Sequence, residues 1–271
     1  MASGMKPLRY FARHPVFRYE DFVSAYAERR NRSVEAAKAV LKQHVRAGNL
    51  LNVRRGLYVV VERGTPSEHV HVDPILLAAN ATDDAVVAYH AALQFYGRAH
   101  SLSRRFTYLT LKKAKPFEFR GSEFVPVSVP RPLRNLPGFG GGLAKNVKPD
   151  LIGRVTTLER VLVDVMYAPR HGGGWEEIWR SLESVEFFDL DAVIDYALKL
   201  QTAVVVARVG FFLEQHRDEL MVEDAHLARL EAYAPPRPAY FDRKRESGTL
   251  VSRWNLIVPD WIRHRSWEEV L

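Results

Sequence analysis

Apolar residues recur at helical spacing through the first fifty positions, and then the period shortens. From Phe17 to Arg30 (FRYEDFVSAYAERR), Phe22, Ala25 and Tyr26 fall on one side with Arg29 on the same spacing, which predicts an amphipathic helix. Arg30-Asn31-Arg32 is a short polar break. Ser33 then offers its hydroxyl to an orphan amide at the start of a second helix. In that helix Val34, Ala37, Leu41, His44 and Val45 share one face. Glu35, Ala36, Ala39, Lys42, Gln43 and Arg46 form the opposite face, with Lys38 at its edge. Gly48 suits the left-handed position that ends a helix. Leu50 to Val53 and Leu57 to Val61 are apolar or β-branched runs around Arg54-Arg55-Gly56. They predict a hairpin whose tip uses the positive φ open to glycine. Helix, turn, helix and basic-tipped hairpin together predict a winged helix-turn-helix. Its second helix would enter a DNA major groove, and its hairpin tip would lie along phosphate or the minor groove.

The polar connector Glu62 to Asp73 (ERGTPSEHVHVD) predicts a boundary between an N-terminal domain, 1–64, and a C-terminal domain, 65–271. Asp73 to Asn80 reads as a short helix. Thr82 reads as the cap of a longer one, TDDAVVAYHAALQFYG, with Asp83 and Asp84 in its first turn where the dipole favours them. Phe106 to Leu111, Pro116 to Phe119 and Phe124 to Val129 have strand composition. A Pro/Gly loop over 130–142 follows. Three helical stretches come next: TTLERVLVDVMY, WEEIWRSLESV and one long run from Asp189 to His216. The tail reads as loop, strand, turn and strand. The expected class is α+β, a winged helix-turn-helix followed by a mixed domain with a small sheet and several helices.

The length of 271 residues allows two modest cores, and 47% hydrophobic residues exclude bulk disorder. The absence of cysteine excludes disulfides and thiolate metal sites, and suits a reducing cytoplasm. MASGMKPLRYFARH lacks the apolar stretch of a signal peptide. The most apolar long run, Val193 to Leu213, is broken by Asp195, Lys199 and Arg208, which predicts a buried helix and no membrane partner.

Charge changes the picture more. Residues 1–64 hold 13 Lys/Arg against 5 Asp/Glu, and the remaining residues hold 26 against 27. The surplus of the net +7 therefore falls in the first quarter, which points to a polyanion, here double-stranded DNA. The candidate contacts are Arg32 in the polar break, Ser33 at the cap, Lys38, Lys42, Gln43 and Arg46 on the second helix, and Arg54 and Arg55 at the hairpin tip. Lys42, Gln43 and Arg46 have the reach and donors for bases or phosphates. Ala36 and Ala39 leave room for close approach or a thymine methyl. Arg54 and Arg55 would neutralise backbone charge. The competing reading is a solvated basic face.

Candidate chemistry is thin. His69, His71 and Asp73 form an H-x-H-x-D run, which on a strand would turn both imidazoles one way, but no further ligand is fixed. His171-Gly-Gly-Gly174 is shaped like an esterase oxyanion loop, yet no G-x-S-x-G elbow accompanies it, so a flexible loop is expected. The Gly138–Gly142 loop lacks the Lys-Ser/Thr of a phosphate-binding loop and reads as a connector. Pro149-Asp150 with Glu159-Arg160-Val161 is a faint version of a Mg-dependent nuclease core, with Val161 where a lysine is needed. Gly121-Ser122 lacks a nearby D-x-D, since Asp189 and Asp191 lie far along the chain. No catalytic residue, metal or cofactor is expected. The alternatives are a winged helix fused to a divergent Mg-dependent nuclease, and a winged helix used for protein contacts.

The order of motifs resembles the AbiEi family of antitoxins and transcriptional regulators from AbiE-type toxin–antitoxin systems, many of them classed as type IV. RRGLYVV (54–60), AYHAALQFYG (88–97), TTLERVLVDVMYAP (156–169) and PRPAYFD…RWNLIVP (236–259) carry the resemblance over most of the chain. It implies an N-terminal domain that binds inverted repeats in its own promoter and represses it. It implies a C-terminal domain that counteracts a nucleotidyltransferase-like toxin, with or without direct contact. By position, Ser33 to Arg46 with Arg54 and Arg55 would meet DNA, while no residue of the antitoxin surface is indicated. Arg243-Lys244-Arg245 with Arg253 is either a second polyanion contact or a solvated turn.

Overall fold

The structure is a computed structural model that describes residues 7–28, 33–62, 64–145 and 153–268. In chain order it begins with α1 (Pro7–Arg13), β1 (Val16–Arg18), α2 (Tyr19–Glu28), α3 (Val34–Arg46), β2 (Leu50–Arg54) and β3 (Leu57–Val60). Then come α4 (Pro74–Ala79), β4 (Val86–Val87), α5 (His90–Phe95), β5 (Arg105–Thr110), β6 (Phe117–Phe119), β7 (Ser122–Ser128), β8 (Leu143–Lys145) and β9 (Arg154–Thr156). The remainder runs α6 (Leu158–Tyr167), α7 (Trp175–Glu183), α8 (Leu190–Lys199), α9 (Ala203–Gln215), α10 (Asp224–Glu231), β10 (Ala239–Tyr240), β11 (Thr249–Val251), β12 (Leu256–Val258) and α11 (Asp260–Arg263). The class is mixed α+β, with eleven α-helices and three sheets among the described residues.

The chain divides into two compact units that alternate along the sequence. Unit 1 holds 1–87, 104–127 and 144–155, and unit 2 holds 88–103, 128–143 and 156–271. The expected boundary at 64/65 falls inside unit 1.

In unit 1, β1, β3 and β2 form an antiparallel sheet in that order, with Val59 opposite both Val16 and Leu51. The helices bury Tyr10, Phe11, Phe17, Phe22, Tyr26, Ala37, Leu41 and Leu50 together. Phe11 stacks on both Phe17 and Phe22, with ring centroids 5.5 and 5.7 Å apart. The first predicted helix is therefore shorter than its pattern. Val16 to Arg18 pair with β3 as a strand, and α2 starts at Tyr19. The seven-residue α1 was not foreseen, because about two turns are too few to show a period.

Unit 1 also carries the larger sheet, ordered β6-β7-β5-β4-β9-β8. Its centre corrects the long helix expected from Thr82. Val86 and Val87 are a fully buried strand, antiparallel to β5 and parallel to β9. The chain then bends at Tyr89, with φ of 59°, and only His90–Phe95 is helical. Asp84 caps no helix. Its carboxylate accepts from the hydroxyls of Thr82 (2.8 Å) and Thr110 (2.6 Å) and from the Leu111 amide (2.7 Å), tying β4 to the end of β5.

Unit 2 is built on α6, α8, α9 and α10, with β10 parallel and β11 antiparallel to β12. The run expected as one helix from Asp189 to His216 is two, broken at Gln201, whose φ is 50°. Gly210 in α9 is required, because a Cβ there would stand 2.3 Å from the Trp254 ring. Two charges sit in this core. Arg160 pairs with Asp164 (3.1 Å), which also accepts from the Tyr196 hydroxyl (2.8 Å). Arg208 is buried and donates to the carbonyls of Met166 and Phe241, both at 2.6 Å. Burial pushes the Arg208 guanidinium down to about 10. Among the described residues no helix is long and apolar enough to cross a membrane.

Candidate nucleic-acid interface

The exposed side of α3 is set by how its other side packs. Ser33 is the N-cap, its Oγ accepting the Ala36 amide at 3.2 Å. Ala37 and Leu41 are buried, and Ala36, Val40 and Val45 lean on the same aromatic core. The helix is thus rotated slightly from its expected setting. Val34, expected inside, is 42% exposed, and Ala36, expected outside, is half-buried. The rotation leaves Lys38, Ala39, Lys42, Gln43 and Arg46 exposed along one side. None of the four long polar side chains has a hydrogen bond or ion pair with another described residue. His44 sits at the margin, 5.0 Å from Phe11 edge to face, and burial lowers its pKa, so it adds no charge here at neutral pH. Arg32 lies outside the described residues.

The hairpin tip separates its two arginines. Gly56 takes φ of 82°, and its carbonyl accepts the Tyr19 amide at 2.8 Å. Arg55 is exposed. Arg54 is turned inward: it donates to the Ala81 carbonyl, and its guanidinium lies 4.4 Å from the centroid of the Phe117 ring. Expected at phosphate, Arg54 instead anchors the hairpin to the large sheet of unit 1.

The structure also regroups charge. Unit 1 holds 22 Lys/Arg against 12 Asp/Glu, and unit 2 holds 17 against 20. The gain over the N-terminal block comes mainly from 104–127, with six basic residues and two acidic. Counting charge in two blocks diluted this segment, where a sliding window would have found it.

No family model and no curated protein matches the chain. Among solved structures it is similar to the RV2827C protein from Mycobacterium tuberculosis, with a TM-score of 0.52 and 17% sequence identity. The match covers 98% of this chain and 97% of that one. At that identity the likeness is one of fold.

The other sequence candidates have plain structural places. His69 ends a short 3-10 turn and His71 is exposed, while Asp73 caps α4 by accepting the Ile75 amide at 2.9 Å. The His171–Gly174 stretch is a packed turn, since a Cβ on Gly173 would stand 2.6 Å from Glu177. The Gly138–Gly142 loop turns the carbonyls of Phe139 and Gly141 onto buried Arg160. Glu159, Arg160 and Val161 are consecutive on α6, with Val161 buried, and Asp150 lies outside the described residues. Asp189 caps α8 through the Ala192 amide at 3.0 Å, and Asp191 pairs with Arg229. Arg253 bridges Glu214 (3.0 Å) and Glu231 (2.9 Å), so of the two readings offered for this cluster it does not fit a polyanion contact, while Arg243, Lys244 and Arg245 lie on an exposed turn.

Proposed function

We propose that unit 1 binds duplex DNA through a winged helix-turn-helix formed by α1 to β3, with α3 as the recognition helix. The observation that carries this reading is the side of α3 opposite Ala37 and Leu41, where Lys38, Lys42, Gln43 and Arg46 stand exposed and unpartnered. A helix that buries one stripe in a three-helix core and presents cations on the other can enter a major groove without disturbing its own packing. The next element in the chain is a tight antiparallel hairpin with an exposed Arg55 at its tip. With Arg54 anchored internally, Ser33 engaged as a cap and Arg32 outside the described residues, the proposed side-chain contacts are Lys38, Lys42, Gln43, Arg46 and Arg55.

On this reading, and on the motif resemblance to the AbiEi family, the chain is a cytoplasmic autorepressor and antitoxin with no catalysis of its own. It binds inverted repeats in its promoter, two copies per site. It counteracts a nucleotidyltransferase-like toxin. The test is anisotropy binding of the purified protein to its own upstream promoter and to a scrambled duplex over a salt series. Promoter preference is expected, with log K falling against log[salt] at a slope of roughly −4 to −5 if about five phosphates are contacted. Equal, weak binding to both duplexes would reduce the module to a generic basic surface. No binding would move the hairpin and α3 to the side of protein contacts.

A further inference from the structure

We infer that the DNA surface of unit 1 continues past the hairpin tip onto the turn between β5 and β6, where Lys113 and Lys115 join Arg55 in contacting phosphates of the same duplex. The inference rests on the DNA-binding reading of α3 and extends it to residues that the winged-helix segment does not contain.

Three observations carry it. The first is attachment. Arg54 at the tip holds the Ala81 carbonyl and lies over the ring of Phe117, the first residue of β6. The tip and the end of that turn are therefore fastened together. The second is shared lining. Arg55 and Lys112 border one small cleft, of about 200 Å³, together with Arg18 and Arg54. The third is the use of each cation nearby. Arg18 is held by Asp21 through two hydrogen bonds, at 2.9 and 2.5 Å. Lys112 pairs with Asp83 at 2.5 Å. Arg105 lies 3.6 Å from Glu123, and Arg120 donates to the Glu68 carbonyl at 2.7 Å. Around the tip Arg55, Lys113 and Lys115 remain, all exposed and none in an ion pair with a described residue; Arg104 is likewise exposed and without an ion pair to a described residue, but it stands at the other end of β5, against Gly121.

Three exposed like charges on two fastened turns repel one another; of the two carboxylates that border the cleft, Asp83 is engaged by Lys112, and Glu20 offsets only part of that repulsion. A polyphosphate backbone would offset it and would release counterions on binding. Contacts of this kind carry no sequence information. They raise affinity for any duplex and leave the choice of site to α3.

The experiment uses the full chain, the promoter and scrambled duplexes, and a salt series. Lys113→Ala/Lys115→Ala is compared with wild type and with Lys42→Ala/Arg46→Ala. The turn variant is expected to weaken binding to both duplexes by the same factor. Its log–log salt slope should be shallower by about 1.8, two phosphates at about 0.9 each. Lys113→Arg/Lys115→Arg should keep the wild-type slope, which separates lost charge from lost fold. The α3 variant should instead lose the preference for promoter. A turn variant with wild-type affinity and slope, beside an α3 variant that fails, overturns this inference and leaves the α3 reading intact. Wild-type protein that binds neither duplex overturns both.

Discussion

On α3 of unit 1, Lys38, Lys42 and Arg46 reach solvent with no carboxylate partner among the described residues, whereas in unit 2 Arg229 bridges Asp191 and Asp195 and Arg253 bridges Glu214 and Glu231. The two units draw on similar numbers of basic side chains, 22 and 17. They differ in where the opposite charge is found. In unit 2 many of the cations are answered within the chain, at the surface by bridged pairs and in the core by Arg160 with Asp164. In unit 1 a set of them, on α3 and at the hairpin tip, has no carboxylate partner among the described residues. The overall +7 hides this division, so a net charge says little about partners until each cation has been followed to its contacts.

The sharpest test of the comparison is the core pair. Both side chains of Arg160 and Asp164 are fully buried. Asp164→Ala should leave an uncompensated guanidinium and cost roughly 3–5 kcal/mol in a denaturant titration. A loss near zero would mean that the carbonyls of Phe139 and Gly141 alone hold Arg160. Next in size is Lys42→Ala/Arg46→Ala. Its stability should stay within about 0.5 kcal/mol of wild type, as for exposed residues without partners. Promoter affinity should fall at least about tenfold, near 1.4 kcal/mol. A folding defect instead would place these residues with those of unit 2.

Acid should act on the answered charges. Burial pushes Glu183 upward, but hydrogen bonds from His216 (3.0 Å) and Arg265 (3.3 Å) hold its carboxyl below the usual range. Glu177 is held down against burial in the same way, by Ser101, His90 and Ser181. A carboxyl depressed in the folded state stabilises above its unfolded value of about 4.3, and that stability is lost as pH falls through the depressed value. Unfolding midpoints taken from neutral pH downward should therefore fall, and Glu183→Gln should flatten the acid limb while lowering the neutral plateau. An unchanged acid limb in that variant would remove Glu183 from the account. The smallest effect belongs to Arg229→Ala, whose pairs are largely exposed. It should cost no more than about 1 kcal/mol, and less at high salt.

The elements legible from sequence are those whose signals are local. Ser33, the stripe of Ala37 and Leu41, Gly48 and Gly56 each act within a few residues, and α3 with its hairpin came out at nearly the expected bounds. Val86 and Val87 were misread because their partners, Leu109 and Val155, lie far along the chain, and a buried valine pair looks the same in a helix as in a strand. The inward turn of Arg54 was hidden for the same reason, since Ala81 and Phe117 are distant in sequence. Side-chain setting on α3 was legible to within a fraction of a turn, enough to name Lys42 and Arg46 but not to place Ala36. The basic turn at Lys113 and Lys115 was in plain sight, yet nothing in the sequence joined it to the hairpin.

The alternation of the two units along the chain, crossing five times, also sets an order of events during synthesis. The β1–β3–β2 sheet closes within a short stretch and can form early on a nascent chain. The β4–β9 pairing cannot, because Val87 has no partner there until Val155 has left the ribosome. Unit 1 is thus completed only when more than half of the polypeptide exists, with two segments of unit 2 already made and still lacking the helices α6 to α11. A ribosome stalled before Phe117 has emerged would display α3 and its hairpin without the ring that steadies the tip.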